Sequence, residues 1–242
     1  MLYVFQKQSI SVARPRHLAG IEAKRLSNPT INQSLRTKRT EYGQSQLSKD
    51  SAAACPVEQL ELWLNEAIDE NIIEPNAMLL ATCGPDGMPD ARIVLLKGID
   101  KGLIFYTNYQ SKKAQDLESN KQASITFFWP QLERQIRARG PVEKVSSNTS
   151  DTYFASRPVG SQISAIISPQ SQTIESKEML EEKRAELENQ NAPVGRPSFW
   201  GGYELIPTEW EFWQGRPCRL HDRICYKRDP TTQAWTTFLK AP

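Results

Sequence analysis

The spacing of apolar and polar positions changes repeatedly along the 242-residue chain, and each change marks an element. After Pro56, apolar residues fall at Val57, Leu60, Trp63, Leu64, Ala67 and Ile68, the spacing of an amphipathic helix, with proline suited to the first turn and acids at Glu58 and Glu61. Ala77 to Cys83 is an apolar run, Gly84-Pro85-Asp86-Gly87 a turn, and Arg92 to Lys97 a second apolar run closed by charges; together they predict a hairpin. Gly102 to Thr107 reads as a third strand. Ser111 is placed to cap a short helix through Leu117, and Ala123 to Trp129 and Gln135 to Val145 predict two further strands.

Ser150 to Ser156 and Gln162 to Ile167 read as short helices separated by Arg157-Pro158, and Glu175 to Asn189 as a solvated helix rich in Glu, Lys, Leu and Ala. The chain then returns to strands at Tyr203 to Ile206, Glu209 to Trp213, Arg219 to Arg228 and Ala234 to Leu239. Strands outnumber helices, and their short links imply antiparallel pairing. The order predicts a mainly β fold, a β-barrel with peripheral helices. No strand-Gly-x-Gly-x-x-Gly-helix unit and no Walker loop occurs, so a Rossmann or P-loop mode of nucleotide binding is not expected.

Composition narrows the partners. Thirty basic against twenty-eight acidic residues give a net charge of +2, too little for a global field that draws in nucleic acid or an acidic membrane. Cys55, Cys83, Cys218 and Cys225 are too few for a disulfide scaffold and lack metal-ligand spacing, so reduced thiols, no metal and a cytosol-like compartment are expected. No apolar stretch approaches the ~20 residues that span a bilayer. Residues 1–33 carry Lys7, Arg14, Arg16, Lys24 and Arg25 against Glu22 alone, the composition of a disordered basic extension or an organellar transit peptide. A cytoplasmic protein is expected, or an organellar one if that segment is a leader.

The candidate chemistry is anion binding. Read as a strand, Arg219-Leu220-His221-Asp222-Arg223 sets two guanidiniums and an imidazole on one face, an arrangement relieved by solvent or by a bound phosphate or carboxylate. Arg92 and Lys97 flank Ile93-Val94-Leu95-Leu96, and Tyr106-Thr107 precede Ser111-Lys112-Lys113, where a hydroxyl, a helix start and two lysines form a phosphate cradle or a capped, solvated turn. Tyr153, Arg157 and Ser161 share a helix face only if Pro158 does not break it; a surface ion-pair face is the alternative. Trp200, Trp210, Phe212 and Trp213 suit either a core or the wall of a flat cofactor site. With no Ser/His/Asp signature or paired-carboxylate motif, such anion sites suggest that a cofactor does the chemistry while the protein orients it.

Arg92-Ile93-Val94-Leu95-Leu96-Lys97, Phe105-Tyr106-Thr107-Asn108, Ser111-Lys112-Lys113, Glu133-Arg134-Gln135, Tyr153 through Pro158, Ser161-Gln162-Ile163, Gln170-Ser171, Ser198 through Gly202 and Phe212 through Arg223 together resemble the pyridoxine/pyridoxamine 5′-phosphate oxidase family from about Leu35 onward. The resemblance implies an FMN-binding split barrel of antiparallel Greek-key type, a single domain over 34–242 whose segment from about 199 serves dimerisation and the active site. It implies a homodimer with FMN at the interface, oxidising pyridoxine 5′-phosphate or pyridoxamine 5′-phosphate to pyridoxal 5′-phosphate, with dioxygen reduced to hydrogen peroxide. By position, Arg92, Ile93, Val94, Leu95, Leu96, Lys97, Tyr106, Thr107, Ser111, Lys112, Lys113, Gln135, Gln170, Ser171, Trp200 and Arg223 would bind FMN. Lys97, Tyr153, Arg157, Ser161, Arg219 and His221 would bind substrate, the last two as catalytic residues. A non-catalytic FMN or pyridoxal phosphate binder and another split-barrel flavin reductase are the alternatives. Two positions depart from the family pattern: Ser164 stands where glycine is common, expected to stiffen a loop, and the Phe238-Leu239-Lys240-Ala241-Pro242 ending replaces an Arg-Leu-Ala-Pro ending, expected to lose a charged contact.

Overall fold

The computed structural model describes residues 29–43, 45–189 and 194–242. Helix α1 (Pro29–Thr37) belongs to a first unit that ends at Glu41. It overlaps the end of the expected N-terminal extension, whose residues 1–28 lie outside the described residues. The second unit, Tyr42–Pro242, contains α2 (Pro56–Asp69), β1 (Ala77–Cys83), β2 (Pro89–Leu95), β3 (Gly98–Ile99), β4 (Leu103–Asn108), α3 (Lys112–Ser119), β5 (Gln122–Trp129) and β6 (Arg134–Lys144). Next come α4 (Ser147–Ser156), α5 (Val159–Ile167), α6 (Glu178–Asn189), β7 (Trp200–Leu205), β8 (Glu209–Gln214), β9 (Asp222–Arg228) and β10 (Trp235–Leu239). No helix among the described residues is long and apolar enough to cross a membrane.

Every strand pairing is antiparallel, in the order β10-β9-β8-β6-β5-β1-β2, with β7, β4 and β3 continuing from the far end of β6. Neighbours out of chain order, β1 with β5, β6 with β8 and β4 with β7, give the crossed connections of the expected barrel class. The sheet divides along β6, which pairs β8 over Arg134–Arg139 and β7 over Val142–Lys144. Gly140 lies between, and a Cβ there would fall 2.0 Å from the Ile206 carbonyl oxygen, so only glycine lets the β7–β8 link cross so close to the strand.

Alternation decides which face is core. Met78, Leu80, Ile125, Phe127, Ile136, Ala138, Trp210, Phe212, Ile224 and Tyr226 are buried on one side, and Leu60, Trp63 and Ala67 of α2 join them in the same core. Trp63 meets Phe212 edge-on at 5.4 Å. Each of the larger aliphatic and aromatic side chains among them contributes roughly 1.5–3 kcal/mol by leaving water.

Partners, not local composition, set several boundaries. β2 starts at Pro89, before the apolar run, because all seven residues of β1 find partners from Leu95 back to Pro89. Ser111 holds the N-cap position of α3, yet its hydroxyl makes no capping bond. Ser164 lies inside α5, where its hydroxyl donates to the Gly160 carbonyl at 2.7 Å; the position is helical, so the expected stiffening of a loop does not arise. Lys240 lies 3.6 Å from Glu211, so the terminal segment keeps a cationic contact.

Candidate functional site

Strands β2 and β4, the start of α3 and the α4–α5 junction surround a cavity of about 740 Å³, within the range of small-molecule sites. Arg92, Ile93, Val94, Leu95, Lys97, Tyr106, Thr107, Lys112, Lys113, Tyr153, Arg157, Ser161, Gln170, Ser171 and Trp200 line it, together with Asp90 and Pro158. Ser111 and Leu96 are buried behind that lining. Five cationic side chains, Arg92, Lys97, Lys112, Lys113 and Arg157, thus face one carboxylate, Asp90. Such a wall favours an anion.

The cradle expected at 111–113 is built from two segments far apart in sequence. Lys113 Nζ donates to Thr107 Oγ1 at 3.2 Å, Gln170 Oε1 at 3.1 Å and Ser111 Oγ at 3.4 Å. Burial, and then the Arg92 charge, bring the Lys113 pKa down to about 8, with Asp90 opposing. Arg92 donates to Thr82 Oγ1 at 2.7 Å, and Thr82 in turn donates to Asp116 Oδ2 at 2.8 Å. The other oxygen of Asp116 is ion-paired with Lys112. Burial alone would raise the Asp116 pKa, but the bonds from Lys112 and Thr82 outweigh it and hold it below the ordinary carboxylate value. One buried carboxylate therefore fixes two cavity cations. Lys112 and Asp116 are four residues apart on a predicted helix, a pairing legible in the sequence. Thr82 carries no comparable local signal.

Another part of the lining is aromatic. Tyr106 and Tyr153 stack at 3.8 Å between centroids, Tyr106 and Trp200 at 5.5 Å, and the Arg157 guanidinium lies 4.6 Å from the centre of the Trp200 ring. Pro158 does break the helix: α4 ends at Ser156, Arg157 is extended, and Ser161 comes from the first turn of α5. The three residues still meet at the cavity. Arg157 Nη1 is buried and makes no hydrogen bond. A buried guanidinium nitrogen left over in a cationic cavity fits an anionic oxygen, and the stacked rings beside it fit a flat ligand.

Gln135, Arg219, His221 and Arg223 lie off this lining. The expected strand face of three cations is not formed. Pro217–Arg219 is a 3₁₀ turn, Cys218 and Arg219 are left-handed with φ of 55° and 65°, and β9 begins only at Asp222. Proline without an N–H and two left-handed residues break the ladder that alternation implied. Arg223 donates to Glu211 at 2.7 Å and to the Ala241 carbonyl at 2.6 Å. Gln135, Trp213 and Arg223 form one cross-strand row on the face of the sheet opposite the core. Tyr42, which packs against Trp213 and His221, was not singled out from sequence; only the fold brings it there.

The chain matches the family described as pyridoxamine 5′-phosphate oxidase over residues 64–191, and the pyridoxine 5′-phosphate oxidase C-terminal dimerisation region over residues 200–242. It is 50% identical over 212 residues to a pyridoxine/pyridoxamine 5′-phosphate oxidase of Legionella pneumophila (strain Lens), covering 86% of this chain and 98% of the relative. It is 48% identical over 209 residues to one from Salinibacter ruber, covering 84% and 97%. Among solved structures, PhzG from Burkholderia lata 383 in complex with tetrahydrophenazine-1-carboxylic acid superposes with a TM-score of 0.79 at 30% identity, covering 84% of this chain and 100% of that one. Motifs, fold and relatives therefore agree, and the chain belongs to the pyridoxine/pyridoxamine 5′-phosphate oxidase family.

Proposed function

We propose that this chain is an FMN-dependent oxidase that converts pyridoxine 5′-phosphate or pyridoxamine 5′-phosphate to pyridoxal 5′-phosphate. The observation that carries this reading is one cavity with two cationic corners, at Lys112–Lys113 and at Arg157, flanking an aromatic wall. Two phosphates and two flat rings are what FMN and a phosphorylated pyridine bring. The names of the relatives support the same assignment.

Arg92, Thr107, Lys112, Lys113, Gln170 and Ser171 would hold the FMN phosphate and its polar edge, with Tyr106 and Trp200 beside the ring. Tyr153, Arg157 and Ser161 would grip the substrate phosphate, using remote binding energy to fix the reacting carbon. FMN, when bound, supplies a two-electron acceptor for the hydride on substrate C4′ and passes the electrons to dioxygen, giving hydrogen peroxide and, from the amine after hydrolysis, ammonia. Lys97 would serve both ligands. Arg219 and His221 would orient the C4′ substituent.

The site is completed by a second copy of the chain. Ile93 (63% exposed), Leu79 (40%) and Phe128 (56%) form an apolar patch on the same sheet face as Gln135 and Arg223, and Ile93 also lines the cavity. In this reading, a symmetric pairing across this face would put the off-cavity residues of one copy at the cavity of the other.

The test is the absorbance spectrum of the purified full chain with FMN, before and after pyridoxamine 5′-phosphate is added without oxygen. Bleaching of the flavin band, and peroxide release once air is admitted, are expected. A protein that holds no flavin, or whose flavin stays oxidised, would falsify the proposal.

A further inference from the structure

The imidazole of His221 closes the turn that carries Arg219. The Arg216 backbone N–H donates to His221 Nδ1 at 3.1 Å, bridging Pro217–Arg219 with its two successive left-handed residues. A ring nitrogen that accepts a hydrogen bond carries no proton, so the neutral ring keeps its hydrogen on Nε2. A flipped ring would set a carbon-bound hydrogen against the same N–H, and the surroundings resist the flip. Trp213 packs at 4.7 Å between centroids and Tyr42 edge-on at 5.7 Å. Arg216 is itself anchored, its Nη1 donating to the Ser45 carbonyl at 2.8 Å and its Nε lying 3.5 Å from Asp222. Asp222 also accepts from the Leu47 N–H at 3.0 Å.

We propose that His221 divides its two nitrogens between two tasks: Nδ1 holds the Arg219 turn closed, and Nε2–H is the one donor left for the ligand. The residue then acts as a fixed, neutral hydrogen-bond donor and not as a proton acceptor, with Arg216 as its positioning residue. Left-handed geometry at Cys218 and Arg219 is costly for residues with a Cβ and persists only where neighbours impose it; the Arg216–His221 bond is such a constraint. Protonating His221 removes the acceptor and frees the turn, so the presentation of Arg219 depends on the same nitrogen.

The charged and titratable groups around the ring are Arg216, Arg219, Asp222 and the Tyr42 hydroxyl. Burial, and then the Arg219 charge, lower the His221 pKa, with Asp222 opposing, which favours the neutral ring at pH 7. The role of Nε2 rests on the oxidase function proposed above, whereas the Nδ1 bond does not.

The chain has two histidines, so His17→Gln leaves His221 as the sole imidazole signal in the full-length protein. Nitrogen-15 NMR of this variant at pH 7.5, without substrate, is expected to show one protonated ring nitrogen, Nε2; an Nδ1–H tautomer or an imidazolium overturns the proposal. As a second measure, H221N places a carbonyl oxygen near the Nδ1 position and H221Q does not, so H221Q is expected to melt about 3 °C below H221N. Equal or reversed melting temperatures count against Nδ1 as the clasp. With pyridoxamine 5′-phosphate, turnover is expected to hold at pH 6.5, the ordinary histidine value, and to fall only on the acid side of it, because the His221 pKa is lowered. A rate that rises instead as the imidazole protonates removes the donor role. No turnover at any pH defeats the oxidase function and the Nε2 role with it, while the NMR result still decides the Nδ1 bond.

Discussion

Before a ligand arrives, Lys113 is held in a position that penalises its own charge. Its pKa of about 8, against an ordinary 10.5, means that the folded chain binds fewer protons than the unfolded chain between those values. The group therefore costs stability below about pH 8, and the cost is relieved as pH rises toward 10.5. A phosphate dianion reverses the preference, because it favours the ammonium form. FMN affinity is accordingly expected to be flat between about pH 7 and 8 and to weaken up to roughly tenfold per unit above that, with proton uptake visible by calorimetry in buffers of different ionisation enthalpy. Affinity independent of pH up to 10 would remove Lys113 from the phosphate site. Lys113→Met should lower FMN affinity about 10–100-fold at pH 7, the value of a charge-assisted bond in a buried site, and flatten the pH dependence. Its melting temperature should stay level or rise, since a buried ammonium gives way to an apolar chain of similar length.

Strand β6 carries the architecture, because both halves of the sheet use it. At Gly140 a Cβ would meet the backbone oxygen of Ile206 at 2.0 Å, and a backbone atom held by the Ile206 N–H to Pro141 bond cannot swing aside. Gly140→Ala should cost about 3 kcal/mol and lower the melting temperature by roughly 6–12 °C. Gly195→Ala, where nothing lies within 4 Å, should change it little; similar losses in both would mean that crowding at β6 is not the cause. Strands β1, β5 and β6 were legible in the sequence, β1 as an apolar run, and in the structure each buries alternate residues on one face. The start of β9 was not: Arg219, His221 and Arg223 alternate as strand residues do, yet Pro217 and the left-handed pair after it end the ladder. Local charge clusters revealed the cavity lining from Arg92 to Lys113. The relay from Arg92 through Thr82 to Asp116 stayed hidden, because it joins β2, β1 and α3 only after folding.

For the whole molecule, the division between cavity residues and outlying residues makes a demand on assembly. The outer sheet face exposes Ile93 and Phe128 to water in a single chain, and a charge buried there on pairing would be unpaired. Phe128→Asp should therefore shift the protein toward monomers in sedimentation and release FMN in parallel; a stable dimer that keeps its flavin argues for another interface. A sharper consequence follows if each site takes its phosphate grip from one copy and its turn from the other. Arg157→Ala and His221→Ala should each be nearly inactive alone. In a heterodimer of the two, one site combines the intact Arg157 of one copy with the intact His221 of the other, while the second site has lost both. Random reassortment of equal amounts makes about half of all dimers mixed, each with one working site, so activity should recover to about a quarter of the unmodified protein. If both residues of a site belong to the same copy, every site in every dimer is defective and mixing restores nothing. Measuring turnover before and after reassortment therefore reads out how the site is shared between chains, independently of how tightly either variant binds FMN, provided the flavin is saturating.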